Sequence, residues 1–401
     1  ICIFAFFYLL RGMRRGSMWD FALAGVMLGL GLNGYIAFRF IPFAMAVPIL
    51  IGLWRWWKTR RENSMAEAPS KCFPCGVVLI GIFTIAVCAP LITYFGAHPE
   101  DFAARTGQVS IFADEHPLRA FAISNIKTIG MLFVFGDCNT RHNFPCLPAL
   151  HPVAAIAFLY GLFAVIKKIR VSRIASALPE ITLLIWLFFL SLPATLTREG
   201  MPHALRSIGM IPPVMIIAGF GAYTLWEKLV HKKKISLTLP FLKGKLPSRL
   251  HRDWEGLVIL LLLISIPLTT GYLYFGIWAH APTTASAFSE DLSELARYVH
   301  SLPSSTVKYL VVDLDHEGLP VSAQSVVYLT NTATLGTQRE QNVIYLPRLN
   351  PTRRIILGSH YAIIGFVAFH DTALEQELKE AFPTLTKEEH GGFTVYMYQP
   401  R

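Results

Sequence analysis

The sequence predicts an α-helical protein that crosses a membrane several times and ends in a small α/β domain. Three observations carry that prediction. Of 401 residues, 53% are hydrophobic and only 15% are charged, whereas an ordinary soluble domain carries about 25% charged residues. Long apolar runs recur through the first 280 positions, and about 20 such residues coiled as a helix reach across a bilayer. Charge is also unevenly spread. Residues 1–280 carry 27 basic and 13 acidic side chains, for +14, and residues 281–401 carry 9 and 13, for −4. The chain therefore divides into a membrane core over 1–280 and a water-facing domain over 281–401.

Taken in order, Ile1 to Leu10 is apolar but too short to cross and lacks the charged start and cleavage site of a signal peptide. It reads as the second half of a helix begun upstream. Complete spans follow at Trp19 to Phe38, Ile41 to Trp57, Val77 to Phe95, Pro152 to Ile166, Ile181 to Leu196, Ile208 to Trp226 and Gly256 to Phe275. The connections Arg11 to Arg15, Arg55 to Lys71, Lys167 to Arg173 and Lys228 to Arg252 hold 20 of the 27 basic residues. The positive-inside rule makes that side cytoplasmic in a plasma-membrane protein. Every span then alternates without a skip. The basic excess thus belongs to loops and anionic headgroups, and no motif calls for nucleic acid.

Three features consequently face outward: a tight tip near Arg39, a long loop from Gly96 to His151, and a short loop from Thr197 to Ser207. The C-terminal domain faces outward as well. Within the long loop, Leu118, Phe121, Ala122, Ile126, Ile129 and Phe133 recur at helical spacing. Leu118 to Phe135 is read as a helix lying in the interface, since a crossing there would invert everything after it.

Past Ser286 the periodicity changes. Ser289 before Glu290 and Asp291 predicts a capped amphipathic helix to Leu302. Strands are predicted at Val307 to Val312, Val343 to Leu346, Ile355 to Leu357, Ala362 to Phe369 and Phe393 to Tyr398. Another helix is read over Asp371 to Phe382, and Val321 to Leu329 is ambiguous, with helix favoured by the preceding Pro320. No phosphate loop, metal-ligand cluster or nucleophile elbow occurs in this domain.

Cysteines add two pairs. Cys72 and Cys75 have metal or redox spacing, but they lack the second pair that a zinc site requires. Cys138 and Cys146 fall in the outer loop, where oxidation is permitted. They are read either as a small ring around Asn139 to Pro145 or as two free thiols.

Ionisable groups gather at the outer boundary, where charge near a membrane is costly and tends to be functional. Arg39 sits between two spans joined by almost nothing, as a headgroup anchor or as a guanidinium fork for a lipid-linked phosphate. Asp137, Arg141 and His142 lie within six residues just before a span. Arg141 suits phosphate or pyranose oxygens, and His142 suits proton transfer or a divalent metal. The short loop carries Arg198, Glu199, His203 and Arg206. Both arginines suit an anion, and Glu199 suits orienting His203 or a sugar hydroxyl. Three such clusters at one depth imply a shared cavity for an anionic ligand, and a lipid phosphate reached from the bilayer fits best.

The strings GLGLNGYIAFRFIP, GDCNTRHNFPCLPALHP and REGMPHALRSIGMIPP resemble integral-membrane glycosyltransferases of the GT-C superfamily. The resemblance is nearest to bacterial relatives of dolichyl-phosphate-mannose protein mannosyltransferases and of the lipid A aminoarabinose transferase, and it covers about residues 15–225. It implies a GT-C-like fold, a polyprenyl-phosphate sugar donor, and transfer with inversion to a protein, lipid or glycan acceptor on the outer face. It also implies an acidic catalytic residue in a loop that would precede Ile1. The positions matching its patterns are Arg39, Asp137, Arg141, His142, Glu199, His203 and Arg206. On this reading Arg39, Arg141, Arg198 and Arg206 hold the donor phosphate, while Asp137, His142, Glu199 and His203 serve the chemistry. Two alternatives stand beside it: a transporter or flippase for an anionic lipid-linked substrate, and a non-catalytic assembly or sensor protein.

Overall fold

The computed structural model describes residues 1–61, 72–102, 110–174, 176–197, 200–228, 248–314, 320–367 and 371–400. These form two compact units, Ile1–Tyr274 and Phe275–Arg401.

The first unit is helical because its apolar stretches must satisfy their own backbone hydrogen bonds, and in lipid a helix does so within one segment. Helices α1 (Cys2–Arg15) and α2 (Met18–Leu32) form a hairpin around Gly16, which adopts a left-handed φ of 70°. Buried Asp20 locks that hairpin, accepting from Arg11 Nε at 3.0 Å and Nη2 at 2.6 Å. Helices α3 (Ile41–Arg61) and α4 (Phe73–Ala97) follow, then α5 (Pro117–Phe133), α6 (Pro152–Val171), α7 (Leu178–Thr195), α8 (Ile211–Trp226) and α9 (Ser248–Gly271). Helix α2 packs on α4, α3 on α7, and α6 on α8.

Small residues decide two of these pairings, as is usual where lipid supplies no hydrophobic drive between helices. On α2, Gly25 and Gly29 face α4 so closely that a Cβ on Gly29 would lie 2.7 Å from Val87 Cβ. Gly161 on α6 and Gly221 on α8 touch each other's backbone, and a side chain on either would overlap a carbonyl of the partner helix. Lys168 Nζ donates to Glu180 Oε1 at 2.5 Å, tying the end of α6 to the start of α7.

Six helical stretches are long and apolar enough to cross a membrane among the described residues: Ile36–Arg61, Phe73–Ala97, Pro152–Val171, Leu178–Thr195, Leu205–Trp226 and Leu260–His280. The chain is therefore a multi-pass membrane protein. The expected span from Trp19 to Phe38 is corrected. Helix α2 ends at Leu32 after 15 residues, about 22 Å, which is short of a hydrocarbon core of about 30 Å. Its end is set by Asn33, whose Nδ2 donates to Gly29 O at 2.9 Å and Val87 O at 3.3 Å. The chain then turns through a 3₁₀ segment, Ile36–Phe40, directly into α3. Helix α5 has its polar face inward. Ser124 and Thr128 are buried, while Leu118 and Ile126 are 86% and 71% exposed.

In the second unit the sheet order is β2-β1-β3-β5-β4, with β1 (Val307–Val312), β2 (Val343–Pro347), β3 (Ala362–Phe366), β4 (Thr386–His390) and β5 (Phe393–Tyr398). Strand β1 pairs parallel with β2 and β3, and β5 pairs antiparallel with β3 and β4. Alternation along β1 sends Leu310 and Val312 to one face, where α11 (Glu290–Ser301) covers them with Leu292, Leu295 and Val299. Tyr309 and Val311 reach the other face, under Leu374 and Leu378 of α14 (Thr372–Ala381). Helix α10 (Pro282–Ala287) precedes this sandwich, while α12 (Gln324–Leu329) and α13 (Leu335–Glu340) bridge β1 to β2.

Two local expectations change here, and one strand joins those expected. Ser289 precedes α11 in the left-handed region at φ 55° and caps nothing. Ile355 to Leu357 is not a strand, because Tyr309 Oη takes its backbone, donating to Ile356 O at 3.0 Å and accepting from Ile356 N at 3.2 Å. Strand β4, TKEEH, has no apolar pattern. Its pairing across the Gly391–Gly392 turn makes it a strand, and its charges suit an exposed edge. Residues 368 and 369 of the expected Ala362 to Phe369 strand lie outside the described residues.

Two stability outcomes follow. Gly221→Val should destabilise the membrane unit by about 3 kcal/mol through overpacking, whereas Gly219→Ala, whose Cβ meets nothing within 4 Å, should be near neutral. Thermal unfolding in detergent separates them. In the second unit, buried Lys308 donates from Nζ to Pro303 O at 2.9 Å and Gln341 O at 2.8 Å. Lys308→Met strands both carbonyls and should cost about 2 kcal/mol, read as a lower midpoint of that unit's unfolding transition.

Candidate functional site

The site begins with a ring in the connection between α5 and α6. Gly136 N donates to Cys146 O and Cys146 N to Asp137 O, each at 3.0 Å. Cys138 and Cys146 close the same ring as a disulfide, which selects the bridged alternative read from sequence. Inside it Asp137 is only 4% exposed. A buried carboxylate persists only when its oxygens are hydrogen-bonded. Here Oδ1 accepts from Asn139 N at 2.8 Å, while Oδ2 accepts from Ala204 N at 2.8 Å and from His142 Nδ1 at 2.9 Å. Asn139 Oδ1 in turn accepts from Arg141 N at 3.0 Å, a local turn in which an Asx side chain stands in for backbone.

His203 comes from the connection between α7 and α8. Its ring stacks on that of His142 with centroids 4.4 Å apart and planes 27° apart. Burial pushes its pKa down to about 4, aided by the charge of Arg206 and by His142, with Asp137 opposing. His203 is therefore neutral at pH 7, and its Nδ1 accepts from Arg206 N at 3.4 Å. The Arg206 guanidinium donates from Nη1 to Thr197 Oγ1 at 2.9 Å. Thr197 is fixed in turn by Ser124 Oγ, which donates to its carbonyl at 2.9 Å, and by an isolated bridge to Ser110.

Among the residues singled out in the sequence, Asp137, Arg141, His142, His203 and Arg206 thus fall on two connections joined through the Asp137 to Ala204 hydrogen bond. Arg39 lies on the 3₁₀ turn Ile36–Phe40, which packs against the turn Leu205–Met210 that carries Arg206. Its guanidinium, however, lies over the rings of Phe102 and Phe95, at 4.3 Å and 5.5 Å, and donates from Nη1 to Phe102 O at 3.0 Å. Arg198 and Glu199 lie outside the described residues.

Sequence reading missed Asn139, Ser124, Thr197 and the Ala204 amide. Ser124 and Thr128, four apart in an apolar helix, carry a visible polar stripe. The Ala204 N–H carries no side-chain signal at all.

Chemically the cluster offers two things. A carboxylate accepts only, so Nδ1 of His142 carries the hydrogen, and Nε2 is the ring nitrogen left for proton transfer. Asp137, His142 and His203 also present ligand atoms within 4.8 Å of one another. One carboxylate with two imidazoles is a donor set that zinc accepts.

The fold and this cluster define a multi-pass membrane protein with an ionisable centre where two interhelical connections meet. No protein-family model matches the chain, and no curated protein matches it.

The depressed His203 pKa fixes a sign. Between about pH 6.5 and 4 the unfolded chain binds a proton there that the folded chain does not, so this group lowers stability as pH falls through that window. In chelator-treated protein, thermal midpoints measured from pH 7 to pH 4.5 should fall less steeply for His203→Gln than for wild type.

Proposed function

We propose that this chain is the core of a GT-C-like membrane glycosyltransferase. It moves a sugar from a polyprenyl-phosphate donor to a protein, lipid or glycan acceptor at the outer face of the plasma membrane. The observation that carries the reading is the junction of Asp137, His142, His203 and Arg206 across two connections that the charge distribution assigns to one side. Arginines beside a buried carboxylate, the His142 imidazole and a neutral His203 suit an anionic ligand whose neighbouring hydroxyl must lose a proton.

In the proposed reaction, the acceptor hydroxyl passes its proton to His142 Nε2, with Asp137 holding the ring in the productive tautomer. The acceptor oxygen bonds to the anomeric carbon as the carbon to phosphate-oxygen bond breaks, and polyprenyl phosphate departs. Charge developing on that phosphate is met by Arg141 and Arg206, and by Arg39 once its guanidinium leaves Phe102. Preorganised donors in a site shielded from water stabilise such charge more than water does. Arg198 and Glu199 belong to the same proposal through the resemblance alone. If a divalent metal is bound, Asp137, His142 and His203 are the residues to hold it, and it would supply Lewis-acid stabilisation of the phosphate.

Arg141→Ala, Arg206→Ala, Arg39→Ala and Asp137→Asn in the full-length protein should each lower transfer by about 100-fold or more while leaving it folded in detergent. Label transfer from a panel of radiolabelled polyprenyl-phosphate sugars measures this. Wild-type turnover in all three arginine variants refutes the reading, and flux of the lipid-linked sugar without covalent product replaces it with a transporter.

A further inference from the structure

Cys72, Phe73, Pro74 and Cys75 stand at the start of α4, and the proposed chemistry uses none of them. The two cysteines are joined as a disulfide three positions apart. Cys72 is the N-cap, with Phe73 and Pro74 as the first helical residues. Proline suits that place because its φ is already helical and its missing N–H is not needed. Phe73 is fully buried and meets Phe21 edge-on with centroids 5.7 Å apart, so the turn is anchored in either state of the sulfurs.

Cys75 is exposed and Cys72 half-buried, which opens the bridge to a small thiolate. While bridged, Cys72 makes no side-chain cap hydrogen bond. Released, its thiolate sits at a helix N-terminus beside the N–H of Cys75, where negative charge is stabilised. The reduced form thus gains an interaction that the bridged form lacks, and stabilising the reduced form makes a disulfide easier to reduce. With α3, α4, α6, α7, α8 and the last span alternating, this end of α4 shares a side with Arg55 to Lys71, Lys167 to Arg173 and Lys228 to Arg252, which hold 17 of the 27 basic residues. That side is cytoplasmic by the positive-inside rule, and disulfides there are rare and usually transient or redox-sensing.

We propose that Cys72 and Cys75 form a redox-active pair that exchanges with a glutathione-class thiol couple. A glutathione thiolate attacks Cys75 Sγ, the bond to Cys72 breaks, and Cys72 leaves as the thiolate cap. A second glutathione thiolate attacks the glutathione sulfur of the mixed disulfide and releases Cys75. Two glutathione thiols are oxidised to one disulfide, and the pair gains two electrons and two protons. The inference is independent of the sugar-transfer reading.

The test equilibrates purified full-length protein anaerobically in mixtures of reduced and oxidised glutathione, then quenches with acid, alkylates with a mass tag and sequences the peptides. The expected result is a Cys72/Cys75 dithiol fraction that rises from about a tenth to about nine tenths over roughly a 100-fold change in the squared-thiol to disulfide ratio, with Cys138 and Cys146 still joined. Cys75→Ser should carry a glutathione adduct on Cys72. A Cys72/Cys75 pair closed at every ratio, open at every ratio, or opening only together with Cys138 and Cys146 overturns the proposal. The wild-type titration decides it even if the variant does not fold.

Discussion

One buried carboxylate holds the candidate site together. Asp137 accepts from Asn139 N, Ala204 N and His142 Nδ1, and the Ala204 contact joins residues 67 positions apart. A carboxylate removed from water is tolerated only when such donors replace its hydration, and removing them leaves an uncompensated charge. The demand for donors is therefore what draws the loop before α8 onto the ring before α6. Stacking of His142 on His203 and the placement of Arg206 behind them are consequences of that docking.

The helices supply the frame on which this can happen. Gly161 and Gly221 bring α6 and α8 into backbone contact, so the connections leading into both helices start from neighbouring points. Helix α5 closes the arrangement from behind. Its buried Ser124 fixes Thr197, which holds the Arg206 guanidinium, and Ala149 N and Leu150 N donate to Met131 O and Leu132 O at its end. The same helix presents Leu118 and Ile126 outward, an exposure that suits lipid better than water. A neutral His203 beside Arg206 adds no charge of its own to the centre.

The two disulfides occupy different physical settings. Cys138 and Cys146 close a ring that backbone hydrogen bonds already define, so the covalent bond reinforces geometry needed by Asp137. Cys72 and Cys75 close the first turn of a helix that is anchored by Phe73 in any case. The first pair is tied to the architecture of the site, and the second leaves the packing around it intact when it opens.

Apolar run length and the charge gap between residues 1–280 and 281–401 were enough to identify membrane helices followed by a different kind of domain, because both are sums over many residues. Strands β1, β2 and β5 were legible for the same reason, carrying the β-branched and aromatic residues that a pleated surface favours. Asp137, Arg141, His142, His203 and Arg206 stood out because ionisable groups at a membrane boundary are costly wherever they point. What only the tertiary structure decided depends on partners distant in the chain. Asn33 ends α2 by reaching Val87, TKEEH becomes a strand because β5 lies beside it, and Ile356 is claimed by Tyr309 instead of a ladder. The stacking of His142 on His203 likewise rests on a backbone amide at Ala204, and an amide is identical in every residue but proline. No reading of side chains could have announced it.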